Sequence, residues 1–220
     1  MFKSLLESDP RKITEIATKK RKPVKPKFVK KIQEEIVDDC NIEDVEIRQV
    51  FVKKPMDAHL MVKHPQDYIE ACAAAGAAYI TPHTDCIESD AFVTINKIIS
   101  LGCKAGIAMN PAAPLEAIRY YLPLLSKVTI MIVDAGYAGQ KVITQMYDKI
   151  RTLAKWREEM KLDFLIEADG SMNAGVYAPL YEAGADMVVL GPPALWNKDE
   201  DIEKAWAIME QEVKSELAGM

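Results

Sequence analysis

Val128-Thr129-Ile130-Met131-Ile132-Val133-Asp134 is an apolar run of strand length that stops on an acid, with Ala135-Gly136 directly after it. Its side chains are apolar at odd and even positions alike, which predicts a strand covered on both faces, as in a parallel sheet. Runs of the same kind stand at 56–62, 79–82, 104–110, 164–169 and 187–191. Between and after them, 66–75, 91–101, 115–122, 145–161, 175–183 and 202–217 show helical periodicity, with Gly76, Gly102 and Gly184 as stop signals. Strands alternating with helices predict six βα units after residue 55, and the 55 residues before them are long enough for two more. The expected fold is α/β, a (β/α)8 TIM barrel with atypical first two units, as one domain over 1–220.

The N-terminal part, 1–55, is harder to read. Residues 4–8 suit a first strand, and Asp9 with Pro10 suits the start of a helix over 11–20. The second strand would fall at 23–29, where Pro23 and Pro26 argue against a central strand. Residues 30–37 read as helical, and 41–52 suit either helix or strand. Between Arg11 and Lys31 ten basic residues face one acid, a net +9 in a chain of net −5, so the remainder carries −14. Only Phe28 interleaves that run, too few aromatics for base stacking, so the segment reads as a solvated face and not as a nucleic-acid contact.

With 49% hydrophobic, 28% charged and 7% aromatic residues, the composition is that of a folded domain and excludes a disordered tail or a collagen-like chain. No apolar stretch is long enough to span a membrane, and the N-terminus does not read as a signal peptide. Cys40, Cys72, Cys86 and Cys103 have neither disulfide-scaffold nor metal-site spacing, so they are expected as reduced thiols in a cytoplasmic protein.

Barrel chemistry sits at the C-terminal ends of the strands. Those ends read Asp57-Ala58-His59-Leu60-Met61-Val62, Thr81-Pro82-His83, Met109-Asn110-Pro111, Met131-Ile132-Val133-Asp134-Ala135-Gly136, Glu167-Ala168-Asp169-Gly170-Ser171 and Leu190-Gly191-Pro192. Together with the Lys155-Trp156-Arg157-Glu158 helix and Ala205-Trp206, these motifs resemble the ribulose-5-phosphate 3-epimerase family, most of all its D-allulose-6-phosphate 3-epimerase branch, from about Lys54 to Met209.

The resemblance implies an isomerase that removes the proton beside a ketose-phosphate carbonyl on one face and returns it on the other. It also implies a divalent metal (Zn, Mn, Co, Fe or Mg) held by two His and two Asp. His59 and Asp169 match two of those ligands, and Asp169 also matches one acid/base. Met61 and Met131 match apolar residues over the substrate, and Ser4 a substrate-contacting serine. Gly136, Gly139, Gln140, Gly170, Ser171 and Gly191 match the substrate- and phosphate-binding loops. A homo-oligomer is implied as well. From position alone, Met109 joins a methionine wall, His83 reads as lining the pocket rather than binding metal, and His64 as surface.

Two departures stand out. The family's second-strand motif His-x-Asp-x-Met-Asp-Gly, with one metal His, one metal Asp and the opposite acid/base, has no counterpart. Lys25 and Lys27 stand in its place, and the only histidines are His59, His64 and His83. The last phosphate turn is Gly191-Pro192-Pro193, and proline has no N–H to donate. The sequence therefore predicts reduced or lost epimerase activity, or alternatively a non-catalytic barrel used for interaction or assembly.

Overall fold

The computed structural model describes residues 54–136 and 139–218. Ser4, the basic segment and the first two expected βα units lie outside the described residues. Among the described residues six strands, β1 (Asp57–Leu60), β2 (Tyr79–Pro82), β3 (Lys104–Met109), β4 (Lys127–Met131), β5 (Leu165–Asp169) and β6 (Met187–Val188), form one parallel sheet in sequential order. Sequential order without reversal curls the sheet one way, into a half-barrel of the expected (β/α)8 type.

The helices are α1 (Gln66–Ala74), α2 (Ala91–Ser100), α3 (Met146–Glu159), α4 (Tyr177–Ala183) and α5 (Ile202–Leu217). α2 buries Ala91, Thr94, Ile95 and Ile98, the spacing of one helical face. The outer face of the sheet supplies Ile80, Ile107, Met109, Val128, Ile130, Ile166 and Ala168, every second strand residue, all buried in the core that it shares with the helices. α5 fastens the last unit, because its Glu216 carboxylate accepts from the backbone N–H groups of Gly175, Tyr177 and Ala178 at the start of α4.

Three expectations are corrected. The helix expected over 115–122 is two 3-10 turns, Leu115–Ile118 and Leu122–Leu124, because Pro123 cannot donate to the carbonyl four residues back. β6 is shorter than the expected 187–191, since the chain turns away into the proline-led π-turn Pro192–Trp196. The strands are also not apolar on both faces. Register puts Asp57, His59, Thr81, His83, Lys127, Thr129, Glu167 and Asp169 on the inner face, and Met109 on the opposite one, in the core rather than at the site.

These inner polar groups are possible because they satisfy one another. Lys127 Nζ reaches Glu167 Oε1 at 2.7 Å and also pairs with Asp57 Oδ2. Thr129 Oγ1 donates to the same Glu167 oxygen at 2.8 Å, and Thr81 Oγ1 donates to Asp57 Oδ1 at 2.8 Å. The Lys127 and Glu167 side chains are only 3% and 8% exposed. Burial alone would lower the Lys127 pKa, but the two carboxylates outweigh it and hold it above the ordinary lysine value. The stability linked to Lys127 protonation is thus fully present below the unfolded lysine pKa and is lost as pH rises through the raised folded one.

Gly106 makes room for this layer. A Cβ there would stand 2.3 Å from Thr81 Oγ1. Gly106→Ala is therefore expected to cost about 1–3 kcal/mol in urea denaturation, and a change under about 0.5 kcal/mol would mean that Thr81 steps aside freely. Lys127→Met strands two carboxylates and is expected to cost about 3–5 kcal/mol. Adding Glu167→Gln and Asp57→Asn should restore part of that loss, and no recovery would show that packing rather than charge holds the layer.

Candidate functional site

Two residues further along β1 and β5, the inner face carries His59 above Asp57 and Asp169 above Glu167. His59 Nδ1 stands 3.5 Å from Asp169 Oδ2, with side chains 18% and 20% exposed, so the pair opens to solvent at the C-terminal mouth. Asp169 ends β5 in register with buried Met131 at the end of β4. Met61, just past β1, is 48% exposed.

His83, immediately after β2, completes the cluster. Its Nε2 lies 2.8 Å from His59 Nε2, and its Nδ1 lies 3.8 Å from Asp85 Oδ1. Burial, then the neighbouring His59, push its pKa down to about 4, against the smaller pull of Asp85 and Asp169. Position alone placed His83 in the lining; its contact with His59 was not legible, because it joins two strands through register. His64 is exposed, as expected.

The loops around this cluster are tied together. Gly170 has φ 123°, and a Cβ there would meet Val133 Cγ2 at 2.5 Å, so only glycine fits. Ser171 follows with φ 46°, a left-handed conformation that a serine adopts at some cost. Its hydroxyl donates to Gln140 O at 2.6 Å, and Gln140 Nε2 donates to Asp134 O at 2.6 Å. The glycine loop carrying Gly136, Gly139 and Gln140 is thereby joined to the Gly170-Ser171 turn. On the other side, Lys149 of α3, not singled out from sequence, donates to Pro111 O and Ala113 O at 2.7 Å each and holds the loop after β3.

At the turn after β6 the backbone has little to offer an anion. Pro192 and Pro193 have no N–H, and the N–H groups of Ala194 and Leu195 both donate back to Gly191 O. Gly191 itself keeps its N–H.

A separation of 3.5 Å suits two ligands of one first-row ion, whose bonds to His nitrogen and carboxylate oxygen are about 2.0–2.2 Å. Among the described residues no group of three or more His, Cys, Asp or Glu is arranged to hold a metal. His59 and Asp169 fit as half of a metal site. Cys72, Cys86 and Cys103 are free thiols, and burial raises the pKa of each. No helix among the described residues is long and apolar enough to cross a membrane.

Solved structures share this fold at low identity. Similar ones include 3-hexulose-6-phosphate synthase from Salmonella typhimurium, with TM-score 0.54 and 17% identity over 74% of each chain. Another is the tryptophan synthase α-subunit from Pyrococcus furiosus, with TM-score 0.52 and 17% identity over 77% of this chain and 68% of that one. In sequence the likeness is much closer. Ribulose-phosphate 3-epimerase of Escherichia coli (strain K12) is 36% identical over 172 residues, covering 78% of this chain and 73% of its own. The enzymes of that name from Synechocystis sp. and Aquifex aeolicus are 39% and 37% identical over 63% and 66% of this chain. The matches span 61% and 65% of those two relatives' own lengths. The profile of the Ribulose-phosphate 3 epimerase family matches residues 26–194, starting earlier than the motifs from Lys54 onward. With the fold, the strand-end motifs and this match in agreement, the chain belongs to the ribulose-phosphate 3-epimerase family.

Proposed function

We propose that the mouth of this half-barrel takes a ketose phosphate, ribulose 5-phosphate or allulose 6-phosphate, and that Asp169 moves the proton on the carbon beside the carbonyl. The observation that carries this reading is the convergence of His59 and Asp169, 3.5 Å apart, at the ends of β1 and β5. A carboxylate there can accept a proton from one face of a bound substrate. A bound divalent ion would supply Lewis-acid polarisation of the carbonyl, with His59 and Asp169 as its holders on this part of the chain. Met131 lies beside Asp169 as an apolar wall, and Gly136, Gly139 and Gln140, joined to Gly170 and Ser171, would offer backbone to the phosphate. Free thiols favour a cytoplasmic setting, and a homo-oligomer belongs to the same reading by family likeness.

Epimerisation needs a second acid/base on the opposite face, and the sequence has no counterpart of the motif that supplies it. The phosphate grip is weaker too, because each N–H lost to proline removes a charged hydrogen bond of about 1.5–3 kcal/mol. The proposed activity is therefore reduced: Asp169 returns the proton to the face from which it came. The turn at Gly191-Pro192-Pro193 favours a second reading, a barrel kept for interaction or assembly without chemistry.

Proton NMR of both sugar phosphates in heavy water, with Zn2+ added, separates the two. The expected result is deuterium exchange at the substrate carbon with little epimer. Asp169→Asn is expected to slow that exchange by about 100-fold or more. Epimer formed as fast as by the relatives would refute the reduced mechanism, and no exchange with either substrate would leave the scaffold reading.

A further inference from the structure

We propose that Lys149 is a positioning residue for the mouth: by gathering the backbone carbonyls of the loop after β3, it holds the Asn110 amide level with Asp169. The inference rests on the reading of the mouth given above and adds a polar group which that reading does not use.

Register brings Asn110 to the site. The last β3–β4 pair is Met109 with Ile130, so Asn110 comes level with Met131, itself paired with Asp169. Asn110 keeps the alternation of Gly106, where a Cβ would strike Thr81 Oγ1 on the inner face. Its Nδ2 accordingly reaches toward Asp85, two residues past His83.

The side chain is not held by its own bonds. Nδ2 stands 3.4 Å from both Asp85 oxygens, at the limit of a hydrogen bond, and the buried Oδ1 has no partner. An amide free to move would turn to satisfy that acceptor, so its place is set by the backbone that carries it. There Lys149 Nζ donates to Pro111 O and Ala113 O at 2.7 Å each and stands 3.4 Å from Asn110 O. The Ala113 N–H closes the turn onto Asn110 O at 3.0 Å, and Pro111 and Pro114 restrict the remaining rotation. Among the described residues, the hydrogen-bond partners of this ammonium are these carbonyls alone. Burial lowers its pKa, against the smaller pull of Glu116. The clamp therefore ties the loop after β3 to α3, and a fixed amide with unused hydrogen-bonding capacity suits the hydroxyls of a bound ketose phosphate.

The placement is read without any ligand by 1H–15N NMR of the side-chain amides. The pair of signals that Asn110→Asp removes is expected to lie apart from those of exposed amides in the parent. In Lys149→Met it is expected to move to the exposed position, and in Lys149→Arg, which keeps a cation with N–H donors, to stay near its place in the parent. Unchanged Asn110 signals in Lys149→Met would overturn the proposal. In the deuterium-exchange assay with ribulose 5-phosphate, Asn110→Ala and Lys149→Met are each expected to raise KM about 10-fold with kcat nearly unchanged, as for one lost hydrogen bond to the substrate. Because Lys149 acts through Asn110, the double variant is expected to show the same rise of about 10-fold and no more. A rise of about 100-fold in the double variant, or an unchanged KM in either single one, would also overturn the proposal. A parent without exchange would instead strike the reading of the mouth, and the amide signals would still decide the clamp.

Discussion

The Lys127 ammonium, nearly sealed from water between Glu167 and Asp57, ties together strands that are far apart in the chain: the paired residues lie 40 and 70 positions away. A buried cation without partners is costly, so the inner face folds with these three groups together or not at all. Because side chains alternate along a strand, fixing Asp57 and Glu167 on the inner face also fixes His59 and Asp169 there, two residues on. A one-residue slip of either strand would break the ion cluster at the base and disperse the site at the mouth. The thermodynamic anchor and the chemical pair are read from the same two strands.

The mouth shows a different economy of structure. Gly170 is squeezed against Val133, and Ser171 follows in a left-handed conformation, yet the serine hydroxyl and Gln140 join this turn to the glycine loop after β4. Backbone strain held in place by neighbouring contacts is typical of turns that present N–H groups to a ligand. At the neighbouring turn the opposite has happened. Pro192 and Pro193 leave the backbone rigid but without donors, and the next two N–H groups close on Gly191 O. One turn is tied firmly to its neighbour, and the other keeps few backbone donors.

Much of this was legible in the chain. β2 and α5 fall on the residues expected, and the other helices, apart from the one interrupted at Pro123, shift by one or two residues at their ends. His59 and Asp169 stood out because each belongs to a recognisable motif near the end of a strand. Lys127 did not, since a lysine at the start of an apolar run reads as an exposed strand end. His83 was placed at the mouth but not against His59, and Lys149 was one charge among many on an amphipathic helix. Each of these three takes its role from a partner outside its own element.

The sequence by itself determined the order of strands and helices, where the chain turns, and which residues stand at the strand ends, because these follow from periodicity and from glycine and proline within a few positions. Only the tertiary structure decided which face each strand residue takes, that Lys127 is buried between two acids, and that His59 lies between Asp169 and His83. Those outcomes depend on register across a parallel sheet, where His59 and His83 meet though 24 positions apart, and no local pattern carries that information.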